Sequence, residues 1–169
     1  MNNVNRLRVR CLFVSVMTAA LGFANSATAS GPPDLSFDLP AGLACSFDLR
    51  IEGWGGSQVY KEFYDKDGNL VRLLFAGTGS ALTFTNLGTS ATYSTKANGA
   101  VSHITLNPDG SATQVTTGHN IIILFPTDVP AGPSTTLYIG RVVISIDSVG
   151  NYTLLKASGT STDICAALS

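Results

Sequence analysis

Ala100-Val101-Ser102-His103-Ile104-Thr105-Leu106-Asn107-Pro108-Asp109-Gly110, continued through a Thr/Val-rich return to Ile121-Ile122-Ile123-Leu124-Phe125, is the stretch that decides the fold. Val101, His103 and Thr105 alternate with Ser102, Ile104 and Leu106, and Asn107 to Gly110 supply turn chemistry. A period of two interrupted by a turn reads as antiparallel strands. The run Ile121 to Phe125 is too short for a helix and is stopped by Pro126, so it reads as a strand buried on both faces and the centre of the core. In the register suggested by Pro108-Asp109, His103 faces Gln114 on a polar side, opposite Ile104 and Val115.

Outward from there, the same alternation recurs. Leu43, Cys45, Phe47, Leu49 and Ile51 alternate with Ala44, Ser46, Asp48, Arg50 and Glu52, which predicts a strand with Cys45 on its apolar face. Gly31-Pro32-Pro33-Asp34 before it reads as an extended lead-in, and Gly53-Trp54-Gly55-Gly56-Ser57 after it as a flexible loop carrying the only tryptophan. Val59 to Tyr64 and Leu70 to Phe75 form a hairpin about Asp65-Lys66-Asp67-Gly68, with Glu62 expected opposite Arg72. Short strands follow at Leu82 to Thr85 and Thr92 to Thr95, then a proline-marked loop from Pro126 to Pro133. A long strand, Leu137 to Asp147, turns at Ser148 to Asn151 into Tyr152 to Ala157, where Leu155 and Ala157 are expected against Ile144 and Ile146. About ten strands joined by short turns predict an all-β fold, a single antiparallel meander closed as a barrel or as a two-layer sandwich.

The 169 residues divide unevenly. Arg6, Arg8 and Arg10, an apolar run from Leu12 to Ala24 and the small-residue end Ala27-Thr28-Ala29 read as a secretory signal peptide over 1–29. The apolar run is shorter than the roughly 20 residues that cross a bilayer. The expectation is a secreted, extracellular β domain over 30–169 with no stable membrane insertion. Loss of three arginines leaves seven basic against eleven acidic side chains, and a mildly acidic balance disfavours nucleic acid and anionic lipid as partners. Cys11 falls in the leader, so Cys45 and Cys165 are expected to form one disulfide in an oxidising compartment.

Chemistry is sparsely marked. No G-x-S-x-G, P-loop, H-E-x-x-H or C-x-x-C occurs, and no cofactor motif is present. Asp65-Lys66-Asp67-Gly68-Asn69 lacks the glycine and glutamate spacing of a calcium loop and reads as a hairpin turn. His103 and His119, the only histidines, are the candidates for acid–base work, and no carboxylate or cysteine in matching register makes either a metal ligand. Asp48 and Glu52 stand roughly 13 Å apart along a strand, too far for a glycosidase pair. Trp54, with Tyr60, Tyr64 and Tyr138, is the candidate contact for a saccharide or apolar small molecule.

The segments Leu82-Thr83-Phe84-Thr85-Asn86-Leu87, Asn107-Pro108-Asp109-Gly110-Ser111, Gly118-His119-Asn120, Leu137-Tyr138-Ile139-Gly140-Arg141-Val142 and Thr162-Asp163-Ile164-Cys165 resemble a group of small secreted actinobacterial proteins without an assigned function. These are turn and strand signatures, so the resemblance implies export and a β fold and carries no chemistry. Three functions follow as expectations: a non-enzymatic domain that binds a ligand or partner, a small β-barrel enzyme using His103 or His119, and a structural, envelope-associated protein.

Overall fold

In the computed structural model, which describes residues 31–169, the period of two becomes ten strands. They are β1 Leu35–Leu39, β2 Leu49–Trp54, β3 Ser57–Tyr64, β4 Leu70–Thr78, β5 Ala81–Asn86, β6 Thr92–Thr95, β7 Gly99–Leu106, β8 Ala112–Leu124, β9 Ser134–Ile146 and β10 Tyr152–Asp163. A single turn of helix, α1 Ile164–Ala167, closes the chain, with the Asp163 carboxylate accepting the Ala166 N–H. The leader and Cys11 lie outside the described residues.

The strands form two antiparallel sheets, of order β1-β2-β5-β6 and β10-β9-β8-β7-β4-β3. They are not closed into a barrel, and the arrangement is sandwich-like. The run β7 to β10 is consecutive in the larger sheet, while β5 and β6 cross to the smaller sheet between β4 and β7.

One row of small residues shapes the larger sheet. Gly77 of β4, Ala100 of β7, Gly118 of β8, Gly140 of β9 and Gly159 of β10 stand side by side in register. All four glycines have positive φ, from 94° at Gly118 to 147° at Gly140, so each of these strands leaves the extended conformation at the same line. The sheet therefore creases there. Ile122 and Leu124, beyond the crease, share one core with Leu73, Ile104, Val142 and Ile144 before it, so the sheet folds over on its own face. The opposite face of the far half, carrying Ile121, Ile123, Leu137 and Ile139, packs on Leu49, Ile51, Leu82 and Phe84 of the smaller sheet. This is why the Ile121–Leu124 run is apolar at every position: both of its faces are covered.

Cys45 and Cys165 are bonded across a separation of 120 residues, with Cα atoms 5.5 Å apart. Cys45 is fully buried, but in a turn rather than on a strand, because β2 begins only at Leu49. The predicted strand from Leu43 is thus shortened, and its place is taken by β1, where Leu35-Ser36-Phe37-Asp38-Leu39 pairs with β2. Buried Asp128 ties down the proline-rich loop, accepting the Phe125 N–H at 2.6 Å and the Tyr152 N–H at 2.7 Å.

Three registers differ from the expected ones, each through an extra loop or bulge residue. The turn after β7 has three central residues, with Gly110 at φ 83°, so His103 pairs with Val115 and Ile104 with Gln114. An irregularity between Phe63 and Tyr64 sets Phe63, not Glu62, opposite Arg72. The turn after β9 also has three central residues, the Asp147 N–H bonding the Asn151 carbonyl, which sets Leu154 opposite Ile144, and a bulge at Leu154/Lys156 leaves Leu155 59% exposed.

Candidate functional site

Between the two sheets lies a cleft of about 230 Å³. Its walls follow from strand alternation. Ile51 on β2 and Leu82 and Phe84 on β5 point inward because Arg50, Glu52, Thr83 and Thr85 take the outer side. Leu35 and Phe37 of the edge strand β1 close one flank, and Ile121 and Ile123 of β8 form the wall given by the larger sheet. The mouth is backbone-rich, made by Gly55 to Gln58 and Thr78 to Ser80.

That mouth is held by named bonds. The Ser80 hydroxyl donates to the Gly55 carbonyl at 2.8 Å, and the Gly55 N–H donates to the Asp34 carboxylate at 2.6 Å. Gly56 has φ 103°, and a Cβ there would stand 3.1 Å from the Ser80 nitrogen, so the loops meet closely only because position 56 is glycine. Deeper in, Gly53 leaves room for Leu35 and Leu82, whose side chains would lie 2.9 Å from a Cβ on it. The result is an apolar interior with peptide groups at the entrance, a chemistry suited to a short aliphatic chain or a single ring.

The residues singled out from the sequence are dispersed. Trp54 is the last residue of β2, not a loop residue; it shares the outer side with Arg50 and Glu52 and donates its indole N–H to the Gly31 carbonyl at 3.2 Å. Tyr60 and Tyr64 are on β3, at the edge of the other sheet, and both hydroxyls donate to the Glu62 carboxylate between them. Tyr60 also packs on Phe75, ring centres 5.0 Å apart. Neither they nor Trp54 line the cleft. Glu62 thus satisfies two tyrosines, while Arg72 lies over the Phe63 ring at 4.0 Å.

His103 is exposed on the outer face of the larger sheet. His119 is half-buried near the crease, where desolvation lowers its pKa below the usual 6.5. Val115, the partner of His103, is four residues from His119 along β8, roughly 13 Å, so the two imidazoles are not brought together. Among the described residues no group of three or more His, Cys, Asp or Glu is placed to hold a metal ion. Tyr138 is half-buried, and desolvation raises its phenol above 10.0.

Cleft residues Leu35 and Phe37 are not among the sequence candidates, although Leu35-Ser36-Phe37-Asp38-Leu39 alternates cleanly just after the Gly31–Asp34 lead-in. Fold and cavity together define a two-sheet, all-β protein with an apolar space between its sheets. No family model, curated protein or solved structure matches the chain.

Proposed function

We propose that this chain is an exported, non-enzymatic β domain that holds a small apolar molecule between its two sheets. The carrying observation is the cleft itself, in which Leu35, Phe37, Ile51, Leu82, Phe84, Ile121 and Ile123 surround one space entered past glycine and serine backbone. Well-packed sandwiches interdigitate the two inner faces without leaving such a space. At about 230 Å³ it is smaller than the roughly 300–1,000 Å³ of drug-sized sites, so the ligand is a short acyl segment or one ring. Export agrees with the leader pattern, with the resemblance to small secreted proteins, and with the long-range disulfide, which persists in oxidising compartments.

A neutral fluorescent probe, N-phenyl-1-naphthylamine, tests this reading. Its emission should rise and shift to the blue on mixing with the oxidised protein, and medium-chain alcohols should displace it. Leu35→Trp, which fills the cleft from an edge strand whose residue 35 is already 36% exposed, should abolish the signal while the protein stays folded. An unchanged signal in that variant sinks the assignment.

A further inference from the structure

The outer face of the larger sheet, on the near side of the crease, has a composition unlike the rest of the molecule. Register places Lys61, Leu74, His103, Val115, Val143 and Lys156 in one row across all six strands. Five strand spacings make that row roughly 24 Å long. On one side of it run Thr105, Thr113, Ser145 and Thr153 with Arg72; on the other, Val101, Thr117 and Ser158 with Arg141.

Charge is sorted here. Seven Lys and Arg follow residue 30, and four of them, Lys61, Arg72, Arg141 and Lys156, lie on this face; none of the eleven Asp and Glu does. All four cations are exposed. Their contacts with an aromatic ring, Arg72 at 4.0 Å and Lys61 at 5.1 Å from the centre of Phe63, leave the charge available. The carboxylates of Asp65, Asp109 and Asp147 border one end of the face, each turned back into its own hairpin turn to accept backbone N–H groups. Leu74, Val101, Val115 and Val143 belong to neither core and lie half-buried.

We propose that this face binds a linear polysaccharide bearing carboxylate groups, laid across the strands along the Lys61–Lys156 row. Sugar rings are amphipathic: their C–H faces rest on aliphatic side chains, their hydroxyls meet the Thr and Ser rows, and their carboxylates take charge-assisted bonds from Lys and Arg. The acidic turns run parallel to the row and repel a polyanion that drifts toward that end. A bilayer is a poorer fit, since interfacial binding sinks apolar side chains roughly 5–10 Å into the headgroup boundary and Leu74, Val101, Val115 and Val143 are half-buried in the sheet. The overall acidic balance hides this face, because a net charge says nothing of how the charges are distributed.

The test uses the oxidised protein with sodium polygalacturonate, neutral dextran, phosphatidylglycerol vesicles and duplex DNA at matched low salt. Polygalacturonate should bind and weaken with added salt, dextran should not bind, and vesicles and DNA should bind more weakly. Lys61→Glu with Lys156→Glu, both at exposed positions, should cut polygalacturonate affinity by about tenfold or more without changing the melting temperature. Absence of polygalacturonate binding, equal binding to dextran, preference for vesicles or DNA, or indifference to the double reversal each overturns the proposal. Leu35→Trp should leave polymer binding intact, which separates failure here from failure of the cleft reading.

Discussion

Gly140 of β9 stands directly opposite Gly159 of β10, and each would drive a Cβ to 2.0 Å from a backbone oxygen, Ser158 O for Gly140 and Ile139 O for Gly159. Two strands approach this closely only where neither carries a side chain, and the same line continues through Gly118, Ala100 and Gly77.

Gly140→Ala is therefore expected to destabilise the protein by at least about 2 kcal/mol, combining a disfavoured backbone angle with a clash that backbone must yield to. Gly68→Ala supplies the comparison, since Gly68 has φ 83° and nothing within 4 Å of its Cβ position. That variant should lose only about 1 kcal/mol. Urea unfolding of the two, side by side, checks whether the crease or the angle alone carries the cost.

Reduction of Cys45–Cys165 should lower stability by about 2–5 kcal/mol, because the bond closes 120 residues of chain in the unfolded state. Cys45→Ala with Cys165→Ala should reproduce the loss. The denaturation midpoint with and without reductant reads it, and a midpoint that does not move would contradict the assignment.

Acid should loosen the hairpin ends first. In the β9–β10 turn the Asp147 carboxylate accepts the N–H groups of Asn151 and Val149 and the Asn151 side-chain amide, and these bonds hold its pKa below 3.8, the Asn151 backbone bond most of all. A depressed carboxylate contributes stability that is present above its unfolded value and is lost as pH falls through the folded one. Asp65 is lowered in the same way, led by the Asn69 side chain. Stability should hold above about pH 5 and decline below pH 3.8. Asp147→Asn should flatten that decline, as followed by thermal melts across pH.

Buried Gln114 donates to the Ser102 hydroxyl at 3.1 Å, while its own Oε1 has no partner among the described residues. Ser102→Ala alone should cost about 1–3 kcal/mol by stranding the amide N–H. Ser102→Ala combined with Gln114→Leu should recover most of that loss, since the polar pair is then replaced by apolar groups of similar size. A double-mutant cycle in urea distinguishes this from simple additivity.

Legibility in the sequence tracked how local each feature is. The reversals at Asn107–Gly110 and Ser148–Asn151, the alternation through β2 and the double burial of Ile121 to Leu124 are written within a few residues of one another and are legible in the sequence. Pairing registers are not, because one extra residue in the turns after β7 and β9, or one bulged residue at Phe63/Tyr64, moves every later partner by one. Hence Glu62 exchanged Arg72 for two tyrosines, and Leu155 lost the core position that Leu154 holds. The cleft was hidden for another reason: Ile51, Leu82 and Ile123 read as ordinary apolar strand residues until two sheets stand apart between them.

By itself the amino-acid order determined that this protein is built of antiparallel strands and where the chain reverses, because side-chain alternation and turn chemistry act between neighbours. Only the tertiary structure decided that glycines 77, 118, 140 and 159 fall on one line and fold a sheet onto itself, and that four scattered cations share one face. Those relations depend on which strand lies beside which, and that choice is made by burying apolar surface across the whole chain at once.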